Sequence, residues 1–255
     1  MDKLILCFGA ISLVILFFLT YPFIALTLSA DLDLVHRVWE EKVVVKALSL
    51  TLIAATLSTV ILMFFGVPLA YILARYEFKG KKLIEAVIDL PLVVPHAVVG
   101  IMLLVAFGPR TSFGAMLRNI GIVIEDSFWA VVAVFAFVSA PLLIDTVKDG
   151  FTSISPSLEG VARSMGAGPL YTFFTISLPL TIRSICTGAL LAWARAISEV
   201  GALLIIAYYP KTINVLIIEW FNTYGLAYAI ALTLIMLVIS VLVFLVLRII
   251  LRWRR

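Results

Sequence analysis

Long, mostly apolar stretches alternate with short polar connections along the whole chain, and among them only the fifth stretch contains charged residues, Arg195 and Glu199. A helix needs roughly 20 residues to cross about 30 Å of hydrocarbon, and six stretches reach or approach that length. The apolar stretches are residues 4–30, 47–74, 90–109, 127–144, 184–210 and 220–247. The pattern therefore predicts six transmembrane helices, at about 4–29, 47–75, 87–108, 127–147, 180–208 and 222–248.

Composition supports a membrane protein and excludes several other classes. The sequence has 255 residues, is 64% hydrophobic and 13% charged, and has a mean hydropathy of +1.19. Soluble domains are about 45–50% apolar and about 25% charged, so one water-soluble core cannot bury this apolar excess. We therefore expect an all-α integral membrane protein with one transmembrane domain, residues 1–255, rather than a soluble enzyme, a nucleic-acid-binding protein or a disordered chain. Cys7 and Cys186 are interpreted as packing residues.

The distribution of Lys and Arg predicts the orientation of the helices. Twelve of these residues fall in the two termini and in the second and fourth connections, whereas six fall in the other connections. The more positive connections stay in the cytoplasm, so we expect a multi-pass protein of the cell membrane with both termini cytoplasmic. Arg254 and Arg255 belong to this count.

The fourth connection, residues 148–183, is the longest and carries signals for structure of its own. Ser155 and Pro156 are typical of a helix start, and Gly166 is typical of a helix end. A second short helix is expected from Pro169, and Pro179 is expected to separate it from the fifth transmembrane helix. The first of these helices has one apolar face, formed by Leu158, Val161, Ala162 and Met165.

Two interpretations of the helix between Ser155 and Gly166 follow from this pattern. With about ten residues it is too short to be stable alone in water, so its apolar face needs a partner. The face can lie on lipid headgroups as a membrane-surface helix, or it can fill a groove on another subunit. The residue pattern leaves both interpretations open.

Residues 160–166, followed by Ile176-Ser177-Leu178-Pro179, resemble the cytoplasmic signature of the permease subunits of ABC importers. That signature reads Glu-Ala-Ala, three residues, Gly, and then Ile-x-Leu-Pro after an interval that this chain matches. When the two are aligned on Gly166, the family's Glu falls on Gly160, and the acidic residue of this chain, Glu159, stands one position earlier.

Three further segments strengthen the resemblance. Residues 66–71 with 74–75 resemble the end of the second helix of these permeases, and residues 90–95 resemble the third helix of the molybdate, tungstate and sulfate branch. Residues 194–202 resemble the fifth helix of the molybdate/tungstate permeases in particular. His96 stands where that branch often has a second Pro. The matches together extend over about residues 47–247.

The resemblance implies a type I ABC importer-like permease fold, with six transmembrane helices and a short coupling-helix segment between the fourth and fifth. It implies a core permease domain at 46–249 and a cytoplasmic coupling segment at 155–178. The partners it implies are a second permease copy, two cytoplasmic ATP-binding subunits and one extracytoplasmic substrate-binding protein, with ATP and Mg in the ATPase. The residues assigned to ATPase coupling are Glu159, Gly160, Ala162, Arg163, Gly166 and Pro179.

The chain itself is not expected to be an enzyme. It has no G-x-x-x-x-G-K-[ST] phosphate loop, and no cofactor or metal is expected in it. Uphill import therefore needs a separate ATPase or an ion gradient. The function inferred from the resemblance is a permease for molybdate/tungstate. The alternatives are a permease for sulfate/thiosulfate or another oxyanion, a secondary transporter without an ATPase, and an integral-membrane enzyme.

Two charged residues within the fifth apolar stretch are the main intramembrane candidates. Arg195 follows Arg183 by twelve residues, or about 18 Å of helix, and Glu199 lies one turn further on the same face. A charge at the bilayer centre costs at least about 2.5–3.5 kcal/mol without a partner. The two residues either form an ion pair that locks the fifth helix to its neighbours or line the pathway and attract a dianionic oxyanion. The full candidate set is Arg195, Ser198, Glu199, His96, Pro91 and Pro95.

Overall fold

The computed structural model describes residues 3–252, and within that range all regular secondary structure is helical. Arg254 and Arg255, which entered the charge count, lie outside the described residues. The helices are α1 (Lys3–Leu28), α2 (Leu32–Glu40), α3 (Lys42–Arg75), α4 (Lys81–Val93), α5 (His96–Phe107), α6 (Ser112–Asn119), α7 (Phe128–Thr152), α8 (Pro156–Ser164), α9 (Pro169–Thr172), a π-helical segment (Phe173–Ser177), α10 (Leu178–Ile197), α11 (Leu203–Ile206), α12 (Ile213–Tyr224) and α13 (Leu226–Arg252).

The predicted all-α membrane fold is confirmed. Among the described residues, five helical spans are long and apolar enough to cross a membrane, and they are based on α1, α3, α7, α10 and α13. A sixth span results if α5 and α6, which meet at 71°, are taken as one. Two short helices at loop starts were not predicted. They are α2 and α6, capped by the side chains of Asp31 and Thr111.

The centre of the fold is the packing of α7 between α3 and α10. Val134 and Phe135 of α7 are fully buried. Small residues bring the helix backbones together, since a Cβ on Gly188 of α10 lies only 3.1 Å from the carbonyl oxygen of Leu143. The periphery is apolar and exposed, as expected of surfaces that face lipid, and between Cys7 and Leu28 the first helix contributes no buried residue to the core.

The third predicted helix, 87–108, is wrong as a single helix. The structure has α4 up to Val93 and α5 from His96, with Val94 and Pro95 extended between them. Proline lacks the N–H needed for the helical ladder and forces the preceding residue out of the helical region, and Val94 accordingly has ψ 129°.

The fifth predicted helix, 180–208, is also interrupted. The α10 helix ends at Ile197, and the chain resumes as the single turn α11 only at Leu203. Asn214 explains how the break is tolerated, because its Nδ2 donates to the carbonyl oxygens of Ile197 at 2.7 Å and Glu199 at 3.1 Å. The sixth predicted helix, 222–248, begins at Leu226, because Gly225 at φ 84° separates it from α12.

The predicted start and end of the helix after Ser155 are present. Ser155 caps α8, and Gly166 lies beyond its end with φ 91°, a conformation that favours glycine. The predicted separation at Pro179 is wrong. The helix runs without interruption from Pro169 to Ile197. A π-helical turn lies just before Pro179 and accommodates this residue, which has no backbone N–H to donate.

Candidate functional site

Glu159 of α8 is buried against the end of α3 and the residues that precede α10. Its Oε1 accepts hydrogen bonds from Nε of Arg75 at 2.7 Å and from Oγ of Ser177 at 2.8 Å. Its Oε2 accepts from the hydroxyl of Tyr71 at 3.0 Å. We call these four residues the cytoplasmic clamp, because they join α8 to α3 and to the π-helical segment on the side that the Lys and Arg distribution predicts to be cytoplasmic.

Packing and hydrogen bonding hold the cytoplasmic clamp in place. The side chains of Arg75 and Glu159 are only 7% and 8% exposed, and the ring of Tyr71 stacks edge-on against Phe151 and Phe173 at 5.2 Å and 4.9 Å between centroids. Burial raises the pKa of Glu159, but the hydrogen bonds from Arg75, Ser177 and Tyr71 outweigh it, and the net pKa lies below the ordinary range. The carboxylate therefore stays ionised, and charge pairing compensates its burial.

The apolar face of α8 points away from the cytoplasmic clamp. Val161 and Met165 lie about 160° and about 120° around the helix from Glu159 at 100° per residue, and they are 60% and 84% exposed. The helix therefore buries its acidic residue and exposes its apolar ones, the reverse of an ordinary surface helix. Since Glu159 faces the ends of the transmembrane helices, the apolar face is turned away from the bilayer. This orientation favours the subunit-docking interpretation over the membrane-surface one.

The other coupling candidates lie around this helix. Gly160 and Arg163 are exposed, Ala162 is half-buried, and Pro179 is exposed at the start of α10. A side chain on Gly160 would meet no atom within 4 Å. The structure places these residues on one surface around α8, and their role in coupling stays a prediction.

Three intramembrane candidates come together where α5 begins and α10 ends. Nη2 of Arg195 lies 3.1 Å from Oε2 of Glu199. Nδ1 of His96 lies 2.6 Å from the same oxygen, and Nδ1 and Nε2 lie 3.0 Å and 3.3 Å from Nη2 of Arg195. We call these three residues the intramembrane cluster.

The intramembrane cluster also shapes the backbone around it. Oε1 of Glu199 accepts from the amide of Ala202 at 3.0 Å, which fixes the start of α11. The ion pair expected between Arg195 and Glu199 is present, and His96 extends it to α5. Of the remaining candidates, Pro91 is buried within α4, Pro95 caps α5, and Ser198 is exposed with its hydroxyl bonded to the carbonyl of Arg195 at 2.9 Å.

Several residues that hold Glu159 or the broken end of α10 were not identified from the sequence pattern. Tyr71, Arg75 and Ser177 hold Glu159 from positions up to 88 residues away in the chain. Asn214 satisfies the broken end of α10. Asn214 lies in the connection between the apolar stretches 184–210 and 220–247, where a polar amide is unremarkable and gives no local signal.

Comparison with known proteins gives consistent relationships. Residues 66–255 match the family described as "Binding-protein-dependent transport system inner membrane component". The molybdate/tungstate transport system permease protein of Pyrococcus furiosus is 44% identical over 249 residues, which cover 97% of this chain and 95% of that protein. The protein of the same description from Methanocaldococcus jannaschii is 42% identical over 209 residues, covering 82% of each chain.

Solved structures share the fold. A bacterial ABC transporter for import of the acidic polysaccharide alginate superposes with a TM-score of 0.74 at 19% identity, covering 98% of this chain and 96% of that one. An inward-facing methionine ABC transporter gives a TM-score of 0.65 at 15% identity, covering 82% of this chain and 95% of that one. The predicted type I importer-like fold is therefore confirmed.

Proposed function

The chain belongs to the family of binding-protein-dependent transport system inner membrane components, and on this premise we propose that it is the permease subunit of an ATP-driven importer for molybdate and tungstate. The named substrates come from relatives that match nearly the whole chain. Family membership and the apolar spans make it a multi-pass membrane protein. The orientation proposed from the Lys and Arg distribution places both termini in the cytoplasm, and the membrane is the cell membrane.

The observation that carries the proposal is the orientation of α8. A short helix that exposes apolar residues and is held by a buried acidic residue is typical of a docking element. We assign it to a groove on a cytoplasmic ATP-binding subunit. Movement of that subunit reaches α3 and α10 through the cytoplasmic clamp, because Glu159 bonds to residues of both flanking helical elements.

The rest of the assembly follows from the same proposal. The sequence has no phosphate loop, so ATP and Mg bind in the partner subunits. Two permease copies, two ATPase subunits and one extracytoplasmic substrate-binding protein complete the transporter. The connections that contain α2 and α6 are assigned, from the Lys and Arg distribution, to the side opposite α8 and to contact with the binding protein.

Purification of the tagged chain from native membranes in mild detergent tests the proposal. We expect an ATPase subunit in roughly equal amount, identified by mass. Reconstituted into vesicles, the complex should hydrolyse ATP faster with a binding protein loaded with molybdate or tungstate than with the same protein loaded with sulfate. A homo-oligomer without a nucleotide-binding partner overturns the importer assignment, and stimulation by sulfate alone overturns the substrate assignment.

A further inference from the structure

The breaks in two membrane-embedded helical segments lie against each other at the intramembrane cluster. A Cβ on Gly201, between α10 and α11, lies 2.7 Å from Cβ of His96 at the start of α5. A Cβ on Gly100 of α5 lies 2.6 Å from the carbonyl oxygen of Ala202. Only glycine at both positions allows the two interrupted segments to approach this closely.

The open side of this contact is unsuited to lipid. Pro95, His96 and Ser198 are exposed there, beside backbone that has left the helical ladder. Non-helical backbone and charged side chains at membrane depth are tolerated only where they are buried in protein or line a water-filled cavity. The exposed side of the cluster therefore faces an aqueous space or another protein surface.

The charges of the cluster are arranged in depth. The carboxylate of Glu199 lies innermost at 1% exposure, the guanidinium side chain of Arg195 is 21% exposed, and the imidazole side chain of His96 is 52% exposed. Hydrogen-bond donors therefore lie in front, and the negative charge lies behind them. Arg195 and Glu199 carry opposite charges.

We propose that the intramembrane cluster is a weak transit site for a tetrahedral oxyanion dianion. The proposal rests on the proposed function and adds the residues that meet the substrate within the membrane. The planar guanidinium of Arg195 offers paired donors that match two oxygens of such an anion, and the ring of His96 adds a further donor. The oxyanion competes with Glu199 for these donors.

The buried carboxylate explains how such a site releases its ligand. An isolated Arg in a medium of low dielectric constant binds a dianion strongly, whereas transport requires binding that is weak enough for the dianion to leave. Glu199 lowers the attraction by placing one opposite charge 3.1 Å from the guanidinium. Glu199 also holds the amide of Ala202, so the α10–α11 break keeps its shape when Arg195 turns toward the substrate.

Charge variants separate this role from a purely structural lock. Glu199→Gln removes the negative charge of the cluster, and Arg195→Gln removes the positive charge of the guanidinium. A transit site responds to the two in opposite directions, whereas a lock is broken by both.

Ser198→Asp and Ser198→Asn provide a pair that leaves the cluster intact, because Ser198 is exposed and bonds only to a carbonyl of its own helix. These two variants differ only in charge. Thr187→Val, at an exposed position on α10 outside the cluster, is the control that should behave like the wild type.

The measurement is retention of radiolabelled tungstate by the complete permease–ATPase complex without binding protein, together with tungstate uptake per ATP hydrolysed in vesicles. We expect Glu199→Gln to retain tungstate at least tenfold more tightly and to release it more slowly. We expect Arg195→Gln and Ser198→Asp to weaken retention at least tenfold, whereas Ser198→Asn and Thr187→Val match the wild type.

Two results overturn the transit site. One is a change in the same direction for Glu199→Gln and Arg195→Gln, and the other is equal retention by Ser198→Asp and Ser198→Asn. Failure of the proposed substrate looks different, because the wild-type complex would then respond to sulfate and not to molybdate or tungstate. Retention of radiolabelled sulfate by the same variants then tests the transit-site proposal independently of the substrate assignment.

Discussion

Arg75 and Glu159 form a buried ion pair, with Nε of Arg75 2.7 Å from Oε1 of Glu159, although 84 residues separate them in the sequence. Arg75 is the last residue of the long helix α3, and Glu159 lies in the middle of the exposed helix α8. The pair thus joins the transmembrane core to the helix that we assign to ATPase docking.

Removal of one partner of this pair is expected to destabilise the protein strongly. Loss of one buried charge leaves the other uncompensated, at a cost of about 3–5 kcal/mol, so Glu159→Leu should lower the thermal midpoint and reduce the yield of complex with the ATPase. The exchanged pair Arg75→Glu with Glu159→Arg should recover part of the loss. Thermal unfolding in detergent measures both, and equal stability of wild type and Glu159→Leu contradicts the role of the pair.

The stabilisation by Glu159 should depend on pH in one direction. Its pKa in the folded protein is below the ordinary value, about 4.3 for an unperturbed Glu. Its contribution is therefore complete above that value and is lost as the pH falls through the lower folded pKa. The difference in thermal midpoint between wild type and Glu159→Gln should be constant from pH 8 to about pH 5 and shrink below about pH 4. A difference that grows with acidity contradicts this assignment.

The exposed apolar face of α8 can be tested with two variants at one position. Val161 is 60% exposed, so Val161→Asp should leave the isolated chain stable within about 0.5 kcal/mol, as for most surface substitutions. In an apolar groove the same charge is buried without a partner, and co-purification of the ATPase subunit should fall at least tenfold. Val161→Thr keeps the shape and should reduce co-purification much less. Equal co-purification with Asp and Thr indicates that this face does not dock.

The end of α8 requires a residue that tolerates positive φ. Gly166 has φ 91°, which costs a β-branched residue about 1–3 kcal/mol. We expect Gly166→Val to weaken assembly with the ATPase, whereas Gly166→Asn should be milder because Asn adopts left-handed conformations more readily. The ratio of ATPase to permease after purification measures the effect, and indistinguishable ratios for Val and Asn show that the backbone conformation is unimportant there.

The close approach of the two helix breaks should be sensitive to one methyl group. Gly100→Ala places a Cβ 2.6 Å from the carbonyl oxygen of Ala202, so backbone must shift, at a cost of about 1–3 kcal/mol. Gly9→Ala in α1, where a Cβ meets nothing within 4 Å, is the matched control and should be neutral or slightly stabilising. Thermal midpoints of the two variants should therefore move apart, and a neutral Gly100→Ala argues against tight contact.

The sequence pattern identified features that depend on local composition. Apolar stretches of membrane-spanning length, the cap at Ser155 and the left-handed Gly166 are all present in the structure. Each is determined by residues within a few positions of one another. The ion pair of Arg195 with Glu199 was also foreseen, because one helical turn separates the two residues.

The interruptions of the helices could not be located from hydropathy. The segment after Ile197 is as apolar as a helix, and it leaves the helix because Asn214, from a later element, satisfies the freed carbonyls. The partners of Glu159 were hidden for the same reason, since Tyr71 and Arg75 approach it only through the packing of α3. Contacts between distant parts of the chain have no local signal in a single sequence.

The π-helical segment also sets a rotational register. The helix from Pro169 to Ile197 has 29 residues and spans about 43 Å, so it connects the surface that we assign to ATPase docking with Arg195 as one rod. The wider turn at Phe173–Ser177 accommodates one residue more than an α-helical turn, and each added residue turns the rod by about 100°. The π-helical turn at Phe173–Ser177 therefore determines the direction in which Arg195 points. Deletion of one residue from this turn would direct the guanidinium toward a different neighbour, although the deletion lies far from Arg195 along the helix.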